Sequence, residues 1–427
     1  KMSPSTQNFL RSYESTSTIS QRAKLKSTYA INPNNGEMAV SAFLHLVDEN
    51  NLDGLEENQV IINAQYGTIL STSIPADNLT SVSQLPSVKY IEIGRPVHQR
   101  MNNVRSEQFS NVNKIHEGTG LTQAYTGKDV IVGIIDGGFQ YNHINFYDTE
   151  GKNLRIKRVW NQNQSGTPPT GYYYGTEYTN AEEIIAAKQD YAASHATHVT
   201  GIAAGAYKGN EYYGIAPDAD LVFVSYNVSD NSSSNTSITD GIKYIYDYAE
   251  SVGKPCVINM SLGYHIGPHD GTSTFDRICD ELQGEGRLLV GASGNEAEYN
   301  IHATKTLKKG DTNMKSLVEF VSNWYLYGSM TSTVDIWGDA EKQLSARVFV
   351  YDILNKKEVY SSESFSTTTS TSKKISNPTG ADGNIYISTA TNPYNKKGNI
   401  TIDLNLSSFD NRNYYIGFEI SGPEETT

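Results

Sequence analysis

Residues 130–138 read Val-Ile-Val-Gly-Ile-Ile-Asp-Gly-Gly, an apolar run that ends in a carboxylate and two glycines. A run without polar alternation predicts a strand covered on both faces, as in a parallel sheet. Three later runs have the same character, at 221–224, 257–260 and 288–290. Helical periodicity separates them, most clearly at 238–249 and 275–282. The pattern predicts a doubly wound parallel α/β core whose site lies at the carboxyl ends of its strands.

The segments on either side of this core have a different texture. Before residue 96 the pattern predicts an α+β unit of order β-α-β-β-α-β, with strands at 38–47, 60–64, 68–73 and 88–93 and short helices at 52–57 and after Asn78. After residue 300, short alternating strands predict an antiparallel β-sandwich, and the polar stretch 229–236 predicts a surface loop. The predicted domains are therefore 1–95, 96–300 and 301–427.

The composition limits the classes of partner. Asp and Glu total 47 against 34 for Lys and Arg, a net charge of -13, and so acidic a surface repels phosphate backbones and anionic lipids. We therefore expect no nucleic-acid partner and no membrane-surface partner. No apolar run approaches the roughly 18 residues of a membrane span. The first residues lack a signal peptide's apolar stretch, so we expect that any targeting segment was removed or never existed.

Two polar groups indicate where chemistry takes place. Asp136 ends the first core strand, where an α/β fold places a carboxylate that orients a base, although an Asp there also commonly begins a turn. Residues 194–205 read Ser-His-Ala-Thr-His-Val-Thr-Gly-Ile-Ala-Ala-Gly, and the small residues let a helix pack closely and hold His195 rigidly, as a general base requires. His195 and His198 share a helix face, so a structural pair and a metal site are alternatives. No Glu lies between or beside the two histidines, which argues against a metal site.

Two further strand ends supply small residues and an amide. Residues 255–263 read Pro-Cys-Val-Ile-Asn-Met-Ser-Leu-Gly, and such an edge is suited to backbone pairing with an extended peptide. Residues 289–296 read Leu-Val-Gly-Ala-Ser-Gly-Asn-Glu, and the Asn295 side chain is a suitable donor to an oxyanion. Cys256 and Cys279, the only cysteines, are expected to be buried thiols.

Taken together and in this order, the four segments resemble the motifs of the subtilisin-like serine proteases, the subtilase family. The resemblance implies that Asp136 orients the imidazole, His195 acts as general base and acid, and Asn295 donates to the oxyanion. It makes His198 a structural residue. It also implies a substrate cleft lined by Ser261, Leu262, Gly263, Gly291, Ala292, Ser293 and Gly294.

The sequence departs from the family pattern at several places. Gly137 stands where the family has Thr or Ser, and Ala196 stands where it has Gly, which adds a Cβ to a tightly packed position. The stretch 147–190 contains an insertion with the aromatic run Tyr172, Tyr173 and Tyr174, which we expect to serve packing or a cleft wall.

The flanking domains also resemble parts of this family. The N-terminal unit is similar to its inhibitory propeptide, so residues 95–108 are expected to cross the cleft as a product-like strand. The β-rich segment is similar to the jelly-roll insertion of the spore-germination subtilases, which lies between the oxyanion Asn and the serine box.

The family's serine box, Gly-Thr-Ser-Met-Ala-Thr-Pro, does not occur between Asn295 and Thr427. Gly271-Thr272-Ser273 is similar but precedes Asn295 and opens a helix, and Asp276 three residues later indicates that Ser273 is an N-cap. The nucleophile is therefore expected outside this chain, on a C-terminal segment.

The function predicted from this resemblance is a serine endopeptidase of the subtilisin type, secreted or in the cell envelope, that acts on peptide or protein substrates. A catalytically inactive pseudoprotease that uses the cleft for binding or regulation is the alternative. A carbohydrate-binding sandwich is a third hypothesis, by fold analogy alone. No motif predicts a cofactor or a metal, and structural calcium is neither indicated nor excluded by the residues.

Overall fold

The computed structural model describes residues 1–15, 31–34, 37–94, 98–99, 112–191, 194–208, 213–226, 234–297, 299–310, 313–318, 329–376, 382–407, 409 and 413–427. These residues form an antiparallel sheet near the N-terminus, a central sheet of parallel strands, and two further antiparallel sheets near the C-terminus. None of the described helices is long and apolar enough to cross a membrane.

The N-terminal unit is a sheet with helices on one face. Its elements are α1 (Pro4–Glu14), β1 (Ile31–Asn34), β2 (Glu37–Leu46), β3 (Ile61–Tyr66), β4 (Ile69–Pro75), α2 (Leu79–Gln84) and β5 (Val88–Ile93). β2 is central and pairs antiparallel with β1, β4 and β5. Alternate β2 residues, among them Val40, Ala42 and Leu44, form a buried core with Phe9 of α1.

The predicted order of this unit is wrong at its first helix. Residues 53–57 form turns, and Gly54 has a φ of +83°, with a position for a Cβ only 2.6 Å from Leu85 Cδ2. Glycine adopts this left-handed conformation readily, and a right-handed helix does not contain it, so the turn takes the place of the predicted helix. The other described α-helix of this unit is instead α1, which precedes all of its strands. The sequence pattern did not predict α1. Asn78 precedes α2 as predicted, but its side chain makes no capping bond and donates to the carbonyl oxygen of Asn58.

The strands of the central sheet are β7 (Ile131–Asp136), β8 (Ile156–Asn161), β9 (Thr176–Tyr178), β10 (Asp220–Ser225), β11 (Cys256–Met260) and β13 (Arg287–Gly291). Their order in the sheet is β13-β11-β7-β10-β8-β9, and all of them run parallel except β9. The described helices of this region are α3 (Val112–Glu117), α4 (Ala181–Ala187), α5 (His195–Ala204), α6 (Asn235–Ser251) and α7 (Thr274–Leu282). The chain leaves β7 toward β8 and leaves β11 toward β13, so the switch in strand order lies between β7 and β11.

Two predictions about this region are wrong. β13 was expected to be covered on both faces, but Leu288 is 57% exposed and Val290 is 50% exposed. Leu289, on the opposite face, packs against the core under α6 and α7. The polar stretch 229–236 was expected to be a loop, but Asn235 and Thr236 are buried in the first turn of α6; residues 229–233 lie outside the described residues.

The C-terminal region consists of two antiparallel sheets that share one core. The strands of the first are β14 (Asn313–Val318), β16 (Ser345–Asp352), β17 (Lys357–Ser361), β18 (Phe365–Ser366) and β22 (Tyr414–Ser421). The strands of the second are β15 (Ser329–Ala340), β19 (Thr371–Ser376), β20 (Asp382–Thr391) and β21 (Lys397–Ser407). Alternate residues from both sheets, such as Val348 and Ile402, are buried together. The predicted strand at 317–325 is described only as far as residue 318.

The N-terminal unit packs against both other regions. On the outer face of its sheet, Phe43, Tyr66 and Ile69 form a buried cluster with Ile278 of α7. On its helical side, the buried Asn8 amide of α1 donates to Asp403 of β21 at 2.7 Å. The three regions therefore form one continuous structure.

Candidate active site

Asp136 lies at the carboxyl end of β7, and every residue of that strand is buried. Gly133 permits this burial, because a Cβ there would lie 2.7 Å from Ile245 Cγ2 of α6. The Asp136 carboxylate is fully buried, and its Oδ1 accepts the backbone N–H of Gly137 at 2.6 Å. The strand thus presents a fixed carboxylate oxygen at the predicted edge of the sheet.

His195 is the first residue of α5, and its position is set by bonds between the helix start and the loop after β7. The N–H of Ala196 donates to the Gly137 carbonyl at 3.0 Å, and the N–H of Thr197 donates to the Gly138 carbonyl at 3.2 Å. These bonds satisfy N–H groups that an uncapped helix start leaves without intrahelical partners. Gly138 has a φ of +92°, a conformation that glycine adopts readily.

The structure brings Asp136 and His195 together, although they lie 59 positions apart in sequence. His195 Nδ1–H donates to Asp136 Oδ1 at 2.7 Å, and His195 is only 3% exposed. A bond at Nδ1 fixes the ring orientation and places Nε2 on the opposite side of the ring. Asp136 therefore does more than begin a turn. Ala196 is fully buried, and its Cβ is accommodated with this bond intact.

His195 and His198 have different environments on α5. Among the described residues, no group of three or more His, Cys, Asp or Glu side chains is placed to hold a metal ion. His198 is exposed on α5, so it does not pair with His195 inside the core.

The segment after β11 forms the expected strand edge. β12 (Leu262–Gly263) pairs antiparallel with β6 (His98–Gln99), with Leu262 opposite Gln99 and Gly263 opposite His98. Ser261 lies just before this pair and accepts a bond from the Asn259 amide at 3.0 Å. A short piece of this chain thus lies against the edge that was predicted to hold a peptide. Residues 95–97 and 100–108 of the predicted cleft-crossing segment lie outside the described residues.

Asn295 follows β13 after a turn at Gly294, whose φ is +96°. The Asn295 backbone N–H donates to Glu296 Oε2 at 2.8 Å, and His265 Nε2 lies 3.5 Å from the same oxygen. The carboxyl ends of β7, β11 and β13 lie at one edge of the sheet, so Asn295 and the small residues 291–294 lie at the edge that carries Asp136. Gly291, Ala292 and Ser293 are exposed.

Ser273 is the N-cap of α7, as predicted. Its Oγ accepts the N–H of Asp276 at 3.1 Å, and Asp276 Oδ2 accepts the N–H of Ser273 at 3.2 Å, which is a complete capping box. The cysteines are free thiols; Cys256 is buried, whereas Cys279 is only partly buried. Burial raises the pKa of both thiols to about 12, so neither is a thiolate nucleophile at neutral pH.

The sequence pattern missed two residues that hold the site. The Thr197 hydroxyl donates to the Gly138 carbonyl at 3.0 Å and accepts the Gln140 N–H at 2.7 Å. Asp190 was noted only as the end of an insertion, yet its Oδ2 accepts the N–H groups of Gly138 and Phe139. A carboxylate five positions before His195 was the available signal, but a single acidic residue in a polar loop does not reveal its acceptor geometry.

The aromatic run in the insertion serves packing, as expected. The ring centroids of Tyr172 and Tyr174 lie 4.4 and 5.0 Å from that of the buried Trp160, whereas Tyr173 is 70% exposed. The hydroxyl of Tyr174 donates to Asp240 of α6 at 2.8 Å.

A doubly wound parallel sheet with a buried carboxylate–imidazole pair at one edge is the fold and the site that the resemblance to the subtilisin-like proteases predicts. Residues 127–415 match the sequence model of the subtilase family, and the chain belongs to that family.

The chain is also similar to individual proteins. The chain is 28% identical to a subtilisin of Bacillus sp. (strain TA39) over 189 residues, which cover 44% of this chain and 39% of the relative. It is 26% identical to subtilisin E of Bacillus subtilis (strain 168) over 240 residues, which cover 56% of this chain and 52% of the relative. Among solved structures, the CspB protease of Clostridium perfringens is similar at 20% identity with a TM-score of 0.49, covering 70% of this chain and 64% of that chain. The chain thus spans about half or less of the length of these two subtilisins.

Proposed function

We propose that this chain is part of a serine endopeptidase of the subtilisin type. The observation that carries the proposal is the buried bond from His195 Nδ1 to Asp136 Oδ1 at 2.7 Å. A base held in this way takes the proton of an attacking serine through Nε2 and later returns it to the leaving amine. Asp136 orients the ring and stabilises the imidazolium that forms.

The remaining parts of the proposed reaction follow from the edge that carries Asp136. The Asn295 amide donates to the oxygen of the tetrahedral intermediate as negative charge develops there. The substrate backbone pairs with Ser261, Leu262 and Gly263 as an added strand, so the main chain supplies binding that tolerates many sequences. The rest of the proposed cleft wall is formed by Gly291, Ala292, Ser293 and Gly294.

The N-terminal unit, residues 1–95, is proposed to be the chain's own inhibitory propeptide. Two observations support this role: β6, in the segment that directly follows the unit, occupies the β12 edge, and the Phe43 cluster attaches the unit to α7. β6 would hinder a substrate strand from pairing at the same edge, and the cluster would keep the unit attached beside it. The domains 96–300 and 301–427 are then an incomplete catalytic core and a β-sandwich of the jelly-roll type inserted in it.

The nucleophile is proposed to lie on a segment beyond residue 427. β13 supports this, because it is an edge strand among the described residues and exposes Leu288 and Val290, whereas parallel sheets are normally covered on both faces. A further strand and helix would cover this face and deliver a serine opposite His195. We also propose a secreted or cell-envelope location, by analogy with the subtilisin relatives.

A serine-directed fluorophosphonate tests the proposal. The chain of 427 residues should remain unlabelled, and the polypeptide continued with its downstream coding sequence should be labelled at one serine and should hydrolyse peptides. In the continued polypeptide, His195→Ala should abolish both the labelling and the hydrolysis of peptides. Ser273→Ala should leave both unchanged. In subtilisin, loss of the serine costs about 10⁶-fold in kcat, so the contrast between the two chains is easily measured.

Two outcomes would contradict the proposal. Labelling of Ser273 in the chain of 427 residues would show that the nucleophile lies within it. A downstream sequence without a Gly-Thr-Ser-Met-Ala box, together with binding of peptides but no turnover, would favour the pseudoprotease.

A further inference from the structure

Asp190 lies where three parts of the proposed active site meet. Its Oδ2 accepts the N–H of Gly138 at 2.9 Å, the N–H of Phe139 at 3.0 Å and the hydroxyl of Ser225 at 2.6 Å. The Asp190 residue is only 8% exposed, and Ser225 is fully buried. Three donors thus converge on one carboxylate oxygen inside the protein.

Two of these donors, Gly138 and Ser225, are each linked to one member of the Asp136–His195 pair. Gly138 belongs to the loop whose carbonyl groups accept the first N–H groups of α5, and therefore fixes the start of the helix that carries His195. Ser225 ends β10 and lies opposite Asp136 in the parallel register of β10 and β7. Asp190 itself is tied to the loop a second time, because its N–H donates to the Phe139 carbonyl at 3.1 Å.

The energetics favour a positioning role for this carboxylate. Hydrogen bonds to a charged acceptor are stronger than neutral ones, and a buried donor that loses its acceptor is costly. The loop has left-handed backbone at Gly138, with a φ of +92°, so its geometry depends on such bonds more than regular structure does. A shift of this loop moves Asp136 and His195 relative to each other, because the loop connects directly to both.

We propose that Asp190 is a positioning residue that sets the distance and alignment between Asp136 and His195. It acts through the loop at 137–139 and through Ser225, and it does not touch the reacting atoms. The inference rests on the proposed function only for its importance to catalysis. The geometry of the pair is measurable in this chain without any turnover.

The test follows the far-downfield proton NMR signal that a buried Asp–His bond produces at Nδ1, in the full chain of 427 residues. Asp190→Asn keeps an acceptor oxygen but loses the charge, so Nδ1–H exchange with solvent should accelerate by several-fold to about tenfold. Asp190→Ala removes the acceptor, and the signal should be lost. Asp136→Asn identifies the signal, because it removes the carboxylate that accepts the bond.

Asp352 offers a matched control in the C-terminal sheets. It is 7% exposed, and its carboxylate likewise anchors a turn, accepting from the Asn355 N–H at 2.9 Å and from the Asn355 amide at 2.8 Å. Asp352→Asn should lower the free energy of unfolding and leave the His195 signal and its exchange unchanged. This separates positioning from general loss of stability.

An unchanged signal in Asp190→Asn and in folded Asp190→Ala would overturn the proposal. If Asp190→Ala does not fold, Asp190→Asn alone decides: faster exchange supports the proposal, and unchanged exchange contradicts it. Absence of peptidase activity in a continued polypeptide would contradict the proposed function and leave this measurement valid.

Discussion

At the scale of single residues, the buried guanidinium of Arg155 is held by backbone carbonyl groups. Its side chain is buried, and its guanidinium donates to the carbonyl oxygens of Tyr147, Ala219, Asn145 and Ala204. Burial is the main reason that its pKa is lowered to about 10, so the group stays charged at neutral pH. One side chain thus joins the loop after β7, the end of α5 and the segment before β10.

We predict that Arg155→Met destabilises the chain by about 3 kcal/mol or more, because it leaves several buried carbonyl groups without a donor. Arg158→Met is the matched control, since Arg158 donates to the carbonyl oxygens of Lys157 and Thr179 but is partly exposed. It should cost about 1 kcal/mol or less. Urea unfolding followed by circular dichroism measures both. Equal losses in the two variants would refute the special role of Arg155.

At the scale of elements, β13 shows how an apolar pattern differs from burial. The apolar run at 288–290 predicted a strand covered on both faces. The strand is present, but only the face that carries Leu289 is packed. Burial of the other face depends on a neighbouring segment rather than on the strand's own sequence. The local pattern therefore predicted the element and its place in the chain but not its cover.

At α1, by contrast, the sequence pattern failed to predict a helix that the structure contains. Its buried residues include Ser5, Thr6 and Asn8, so the apolar period that predicts a helix is weak. The hydroxyl of Thr6 donates to the Ile91 carbonyl at 3.2 Å, and the Asn8 amide reaches Asp403. A helix buried through hydrogen bonds to distant segments cannot be recognised from local hydrophobicity. The Asp136–His195 contact was predictable because motif order, rather than hydrophobicity, carried it.

The exposed face of β13 can be tested with Val290→Lys. In the chain of 427 residues this change should alter the free energy of unfolding by no more than about 0.5 kcal/mol, because the side chain is half exposed. It should reduce binding of a hydrophobic dye, since an exposed apolar face is the binding surface for such dyes. Val359→Lys, at a residue 46% exposed on β17, is the matched control.

In a polypeptide continued past residue 427, Val290→Lys should lower the yield of folded enzyme, whereas Val359→Lys should not. A loss of several kcal/mol in the chain of 427 residues would contradict the open face.

At the scale of the whole molecule, Asp240 and His45 are buried titratable groups that lie where the N-terminal unit meets the central helices. Asp240 of α6 accepts the hydroxyls of Tyr66 and Ser71 from the N-terminal unit and of Tyr174 from the insertion. Burial raises its pKa to about 6, although these hydroxyl bonds oppose the rise. The Tyr172 hydroxyl donates to the backbone carbonyl oxygen of Asp240.

Asp240 is predicted to make the assembly less stable as pH rises. Its pKa in the fold exceeds the ordinary value of 3.8, so its favourable contribution is complete below 3.8 and is lost as pH rises through about 6. Asp240→Asn should therefore gain stability relative to the parent between pH 4 and 7, measured by urea unfolding. The control Asp247→Asn removes an exposed carboxylate of the same helix. Parallel curves for the parent and Asp240→Asn would contradict the prediction.

His45 is predicted to act in the opposite direction. It is buried on β2, its ring centroid lies 4.2 Å from that of Tyr394, and its Nε2 lies 3.4 Å from the Thr274 hydroxyl. Burial, and then the positive charges of Arg277 and Lys89, lower its pKa to about 3. The pKa in the fold lies below the ordinary 6.5, so stability is lost as pH falls from 6.5 toward 3.

His45→Gln should therefore lose less stability than the parent between pH 7 and 4, with His116→Gln as the control on α3. Glu92, which accepts the Thr274 hydroxyl, is the nearby acidic group on β5 and should be kept unchanged. A parent and a His45→Gln variant with the same pH dependence would contradict this assignment.

The attachment of the N-terminal unit to α7 also has a consequence for biosynthesis. Residues 37–93 leave the ribosome before α6 and α7 are made, and a unit with its own buried core is able to fold as it emerges. The surface formed by Phe43, Tyr66 and Ile69 is therefore present before Ile278 exists. We therefore expect α6 and α7 to fold against this surface, and β6 is synthesised before the β12 edge with which it pairs.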